Sequence, residues 1–90
     1  MIPKYKTNIS IHEGFTKVKL WDTIIVSFNT NQIILNTGGH WTQTTKNRMN
    51  QASKQFSLNY KISSINGQWF VTTESTIVPF GPSPVLILMR

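Results

Sequence analysis

One segment with helical periodicity interrupts a chain whose other apolar residues alternate, and this change of period limits the folds available. Between about residues 44 and 57 the apolar residues Met49, Ala52 and Phe56 are spaced as on one face of a helix. On either side, apolar and polar residues alternate or form short β-branched blocks, which is typical of strands. We therefore predict an α+β domain in which one amphipathic helix packs on a small, mostly antiparallel sheet.

The predicted order is β-β-β-α-β-β in a single domain spanning residues 1–90. The strands are predicted at residues 15–21, 23–28, 32–36, 60–65 and 68–73. Asn66-Gly67 predicts a type I′ hairpin turn between the last two of these strands. Residues 1–14 are predicted to be an N-terminal arm or edge segment. Residues 75–84, with three prolines, predict an extended loop, and Val85–Met89 predicts a sixth strand or a docking segment.

The charge balance predicts a polyanionic partner. Nine Lys and Arg against three Asp and Glu give a net charge of +6, which attracts a nucleotide, a nucleic acid or an acidic protein surface. The alternative is that positive charge only keeps a small domain soluble. Because charged residues make up 13% of the chain and apolar residues 39%, the composition excludes a disordered polycation.

Several classes of protein are disfavoured by what the sequence lacks. There is no cysteine for a disulfide or a thiolate metal site, and the N-terminus has no apolar signal segment. The longest apolar run has five residues, too short to cross a bilayer, so we expect a soluble intracellular protein without a membrane partner. Two histidines without metal-ligand spacing and three carboxylates predict a protein that is not an enzyme and uses no metal or cofactor.

The most polar chemistry lies where the third predicted strand meets the helix. A diglycine there is followed by threonine hydroxyls and two cations, and a helix N-terminus can present backbone N–H groups to an anion. The spacing is not that of a P-loop. The predicted ligand-binding residues are Thr37, Gly38, Gly39, His40, Trp41, Thr42, Thr44, Thr45, Lys46 and Arg48. The alternative is a glycine turn before a helix that Thr42 or Thr44 caps, with its cations facing solvent.

The tryptophans leave two interpretations open. Trp41 can stack on a base or ribose beside the glycines, or fold back as a lid on the core. Lys17, Lys19 and Trp21 share one parity of a strand, which suits either a nucleic-acid platform or an ordinary solvated strand. On the helix, Lys46 and Arg48 are predicted to flank the apolar stripe. The helical residues predicted to face solvent are Asn47, Asn50, Gln51 and Lys54.

The string Leu35-Asn-Thr-Gly-Gly-His-Trp-Thr-Gln-Thr-Thr-Lys-Asn-Arg-Met-Asn-Gln51 resembles the core of a family of small tailed-bacteriophage proteins of unassigned role. A tract matching Gly67–Val71 and a Pro79-Phe80 pair extend the resemblance over about residues 23–80, leaving residues 1–14 and 85–90 outside it. The resemblance implies a phage or prophage origin and action in the host bacterial cytoplasm. It brings no catalytic residue with it.

Three hypotheses for the function follow. The first is a non-enzymatic anti-defence protein that captures a phosphate-bearing ligand, such as a nucleotide signal, in a pocket shared within a homo-oligomer. The second is a nucleic-acid-binding protein whose affinity falls steeply with salt. The third is an anti-CRISPR-like inhibitor that binds a host or defence protein.

Overall fold

The computed structural model describes residues 7–90, and this part of the chain forms one helix and eight strands. The elements are β1 (Thr7–His12), β2 (Phe15–Leu20), β3 (Thr23–Phe28), β4 (Gln32–Asn36), α1 (Gln43–Gln55), β5 (Lys61–Ile65), β6 (Gln68–Thr72), β7 (Ile77–Phe80) and β8 (Val85–Met89). The predicted α+β class is confirmed, with more strands than the predicted order contains.

The strands form two antiparallel sheets rather than the single sheet predicted. The first has the order β1-β2-β3-β4-β8, and the second has the order β5-β6-β7. The chain therefore returns to the first sheet with β8, which pairs with β4 after the second sheet is complete. Local periodicity defines a strand but not its neighbour, so the division into two sheets was not visible in the sequence.

Two strands lie where none was assigned. Within the predicted arm or edge segment, residues 7–12 form the edge strand β1, while residues 1–6 lie outside the described residues. Within the predicted extended loop, Ile77–Phe80 forms the strand β7, so the prediction of a loop is wrong at these positions. Pro79 fits because β7 is an edge strand, where a residue without an N–H is tolerated.

The predicted Asn66-Gly67 turn is confirmed. Asn66 and Gly67 have φ angles of 52° and 82°, the two positive values that a type I′ turn requires. At the β3–β4 turn, the Asn29 side-chain oxygen accepts hydrogen bonds from the backbone N–H groups of Asn31 (2.8 Å) and Gln32 (2.9 Å).

The helix begins and ends close to its predicted bounds. Thr42 is the N-cap, and its hydroxyl oxygen accepts a hydrogen bond from the Thr45 N–H at 3.2 Å. The predicted apolar stripe faces inward: Met49 and Ala52 are fully buried. Phe56, at the C-cap, packs on Phe28 with ring centroids 5.0 Å apart.

A single hydrophobic core joins both sheets and the helix. Val18, Val26 and Leu35 lie side by side on the inner face of the first sheet and are fully buried. Met49 of the helix and Val71 of the second sheet belong to the same core cluster. The two sheets and the helix therefore stabilise one another.

The helix is also hydrogen-bonded to β5 and to Tyr60, the residue immediately before β5. The Ser53 hydroxyl donates to the Tyr60 carbonyl oxygen (2.6 Å), and the Tyr60 hydroxyl donates to the Met49 carbonyl oxygen (2.6 Å). Asn50 bonds the backbone of Ile62, so the prediction that it faces solvent is wrong. Periodicity placed Asn50 on the polar side of the helix but could not show that the edge of β5 lies there.

Candidate ligand-binding cleft

The glycine loop after β4 is held by its own hydrogen bonds. The Gly38 N–H donates to the Asn36 side-chain oxygen (2.8 Å), and the Gly39 N–H donates to the Thr37 hydroxyl (3.2 Å). The His40 N–H donates to the Thr37 carbonyl oxygen at 3.0 Å. These three amides are therefore hydrogen-bonded within the loop and are not available as donors to a ligand.

Gly38 is required for packing as well as for its backbone conformation. Its φ is 63°, and a Cβ at this position would lie 2.8 Å from both the methyl group and the hydroxyl oxygen of Thr23. Gly39 has a φ of 85°, but a Cβ there would meet no atom within 4 Å. The close approach of Gly38 brings the loop against the start of β3.

A cleft of about 520 Å³ lies between this loop, the first turn of α1 and the β2–β3 turn. It is lined by Leu20, Trp21, Asp22, Thr23, Ile25, Thr37, His40, Thr42, Thr44 and Thr45. Five of these residues are threonines, and an indole, an imidazole and a carboxylate join them. The lining therefore offers hydroxyl groups and one acidic side chain around an aromatic ring.

Half of the predicted ligand-binding residues line this cleft. They are Thr37, His40, Thr42, Thr44 and Thr45. The other five predicted residues, which are not part of its lining, are Gly38, Gly39, Trp41, Lys46 and Arg48. The structure thus brings the hydroxyl groups together and places the two cations elsewhere.

Trp41 packs on the core. Its ring meets Trp69 edge-on, with centroids 5.1 Å apart, and meets Phe80 in the same manner at 5.2 Å. Trp69 and Phe80 are both buried, so Trp41 covers this end of the core. Of the two interpretations that the sequence left open, this position corresponds to the lid.

Lys46 and Arg48 do not converge on one point. The Lys46 ammonium group donates to the Ser64 hydroxyl of β5 at 3.0 Å. The Arg48 guanidinium donates through Nη1 to the Gln51 side-chain oxygen at 3.1 Å. The two cations therefore have different neighbours, as expected for residues that flank the apolar stripe.

Five lining residues were not assigned to this site from the sequence: Leu20, Trp21, Asp22, Thr23 and Ile25. Trp21 and Asp22 are the two among them that offer an aromatic ring and a charge. They form the tight turn between β2 and β3, where Trp21 has a φ of 58° and is 60% exposed. Asp22 carries the one formal charge among the lining residues when His40 is neutral. The sequence predicted a strand through Trp21, whereas β2 ends at Leu20, and nothing local indicated that Trp21 and Asp22 face the helix start.

The sequence model of a phage protein family, described as Kyanoviridae Gp96 protein, matches residues 2–83. The chain belongs to the Kyanoviridae Gp96 protein family. Membership supports the phage origin that the sequence resemblance implied. The Gp96 match also includes residues 2–14, which the resemblance had placed outside the family region. No curated protein and no solved structure matches the chain.

A second groove of this Gp96 family member, about 640 Å³, runs along the polar side of α1. Lys54 and Lys61 line it, as do Asn50 and Ser53. The last two side chains already bond the backbone of Ile62 and Tyr60. The groove therefore has a basic rim, but part of its polar lining is used to hold the fold together.

Two further findings concern residues 7–90 of the Gp96 chain. Within this range no group of three or more His, Cys, Asp or Glu side chains is placed to hold a metal ion. The single helix there is neither long nor apolar enough to span a bilayer.

Proposed function

We propose that this phage protein is a non-enzymatic binding protein that captures a small nucleotide-type ligand in the cleft. The observation that carries the proposal is that the N-terminal turn of α1 and Trp21, a residue that is 60% exposed, line one cavity. We further propose that capture counters a host defence signal in the cytoplasm of the infected bacterium. The cleft volume of about 520 Å³ is within the usual range for small-molecule sites, roughly 300–1,000 Å³.

The phosphate of such a ligand would bind at the start of α1. The N–H groups of Gln43 and Thr44 precede the first residue whose N–H the cap satisfies, so helix geometry gives them no acceptor inside the helix. The Thr44 hydroxyl lines the cleft beside them. Because a helix N-terminus carries partial positive charge, this turn favours an anion without help from Lys46 or Arg48.

The nucleoside would occupy the opposite wall. The indole of Trp21 offers an aromatic face for stacking, a contact worth about 1–3 kcal/mol per base in nucleic-acid-binding proteins. The Asp22 carboxylate can accept hydrogen bonds from ribose hydroxyls or from an exocyclic amine. Asp22 also repels phosphate, which favours the orientation with the phosphate at the helix.

A thermal-shift screen with mono-, di- and cyclic oligonucleotides, each at two salt concentrations, tests this function. A ligand that binds only the folded state raises the melting temperature according to its excess over Kd. We expect a salt-tolerant shift with one nucleotide, lost in Trp21→Ala and in Asp22→Asn. Ile77→Ala, at a strand position that is 65% exposed, is the matched control and should keep the shift. The absence of a shift across the whole panel would reject nucleotide capture and favour a protein–protein inhibitor.

Nucleic-acid binding is the second candidate, and strand register favours it. In the β1–β2 pair, Lys17 lies opposite Ser10 and Lys19 lies opposite Asn8, so these side chains share one face of the first sheet. A short DNA or RNA added to the same screen distinguishes this candidate. It requires a shift that falls steeply with salt and is reduced in Lys17→Gln and Lys19→Gln, because phosphate contacts release counterions.

A further inference from the structure

The edge strands of the two sheets differ in how they are protected. In the second sheet, β5 is hydrogen-bonded to Asn50 of the helix, and β7 contains Pro79. In the first sheet, β1 alternates polar residues with two isoleucines, whereas all five residues of Val85–Met89 in β8 are apolar. Natural edge strands are usually protected by charge, proline, a bulge or a cover. β8 contains neither a charge nor a proline.

Half of the backbone groups of β8 are directed away from β4. The Thr37 N–H donates to the Pro84 carbonyl oxygen (2.9 Å), and the Arg90 N–H donates to the Asn31 carbonyl oxygen (2.9 Å). Because the direction of backbone groups alternates along an antiparallel strand, the N–H and C=O of Ile87 point to the opposite side. Among the described residues, β8 pairs with no strand other than β4.

The side chains of β8 add an apolar surface on the outer face of the sheet. Leu86 and Leu88 pack against the core. Val85, Ile87 and Met89 alternate with them and are 41%, 55% and 76% exposed. The same three positions thus combine outward-directed backbone with exposed apolar side chains.

We propose that two copies of this chain pair through β8 in antiparallel orientation and form a continuous sheet. In this register, Ile87 lies opposite Ile87 of the second copy, and Val85 lies opposite Met89 of the second copy. Each copy then offers the same open backbone and apolar residues to the other, as a twofold interface requires. Antiparallel neighbours exchange both backbone hydrogen bonds at such a central pair.

Charge favours this strand as the contact between copies. Each chain has a net charge of +6, so two copies repel one another, but Val85–Met89 contributes no charge to the interface. The neighbouring Arg90 is held on its own chain, because its guanidinium donates to the Asn29 carbonyl oxygen at 2.7 Å. It also lies over the Phe28 ring, 5.9 Å from the centroid.

Size-exclusion chromatography with light scattering tests the proposal. We expect the wild-type protein to have twice the 10.3 kDa mass of one chain and Ile87→Lys to have the mass of one chain. The lysine places like charges opposite one another across the twofold axis. Ile65→Lys, at a 63% exposed position in the second sheet, is the matched control and should remain a dimer. Met89→Lys is the second interface variant if Ile87→Lys does not fold.

Amide hydrogen exchange locates the interface independently of mass. The Ile87 amide should exchange at least tenfold more slowly in the wild type than in Met89→Lys, whereas the Arg90 amide, bonded to Asn31 within the chain, should change little. A wild-type protein that remains a monomer would overturn the proposal. So would a dimer that survives both lysine variants, or one in which the Ile87 amide stays unprotected.

Discussion

The side-chain amide of Asn50 forms two hydrogen bonds with the backbone of Ile62. Its nitrogen donates to the Ile62 carbonyl oxygen (2.9 Å), and its oxygen accepts from the Ile62 N–H (2.7 Å). A neighbouring strand would make the same pair of contacts with an edge residue. Asn50 therefore attaches the helix to β5 and occupies backbone groups that the second sheet would otherwise leave open.

Replacement of Asn50 should destabilise the protein. We expect Asn50→Ala to lower the free energy of unfolding by about 2 kcal/mol, because two hydrogen bonds are lost and part-buried backbone groups are left without partners. Urea denaturation followed by circular dichroism measures this change. Asn47→Ala is the matched control, since Asn47 is exposed and bonds Gln43 within the helix. Equal effects of the two substitutions would contradict the role assigned to Asn50.

The two glycines of the loop should respond differently to alanine. Both have positive φ, so each substitution should cost about 1 kcal/mol through the backbone. Gly38→Ala should cost more than Gly39→Ala, because its Cβ would collide with Thr23. Thr23→Ala should remove this excess in the double variant. Thermal unfolding of the four variants measures the coupling, and a Gly38→Ala penalty unchanged by Thr23→Ala would contradict the contact.

Substitution of Trp41 should lower stability more than substitution of Trp21, the residue proposed to bind the ligand. Trp41→Ala should lower the free energy of unfolding by about 3 kcal/mol, because the ring packs on Trp69 and Phe80. Trp21→Ala should cost less than about 1 kcal/mol, because 60% of that residue is exposed. Chemical denaturation of both variants gives the comparison. A larger loss of stability in Trp21→Ala would show that its ring supports the fold rather than a ligand.

Tyr60 should make stability depend on alkaline pH. Burial raises the pKa of Tyr60 above its ordinary value of 10.0, so the folded state keeps a proton that the unfolded state loses. Its contribution is therefore full below pH 10 and declines as pH rises, by ~1.4 kcal/mol per pH unit. Tyr60→Phe removes this dependence together with the hydrogen bond to Met49. Unfolding measured from pH 8 to 11 should show the two proteins converging above pH 10; parallel curves would contradict the prediction.

Local chemistry in the sequence identified the features that depend on neighbouring residues. Thr42 was a candidate cap because a hydroxyl preceded an apolar helical stripe, and Asn66-Gly67 supplied the positive φ angles of its turn. Both are present. The helix lies within about two residues of its predicted bounds for the same reason.

Features that depend on distant residues could not be predicted. Ile62 lies 12 residues beyond Asn50, and helical periodicity contains no information about which strand approaches the polar side. The cleft is similar, because Trp21 and Asp22 lie about 20 residues before the helix start in the sequence and line the same cleft only in the folded chain. The threonines were found from their local pattern, whereas the opposite wall required the tertiary structure.

The hydrogen bonds within the glycine loop stabilise the fold and leave the amides that form them unable to bind a ligand. Because the Gly38 and Gly39 amides are hydrogen-bonded within the loop, substitutions at these glycines would affect folding before they affected binding. Trp21 and Asp22 lie outside this loop, in the β2–β3 turn. Under the proposed function, substitutions at these two positions would change ligand preference and leave the loop intact, so directed evolution toward a new ligand should begin there.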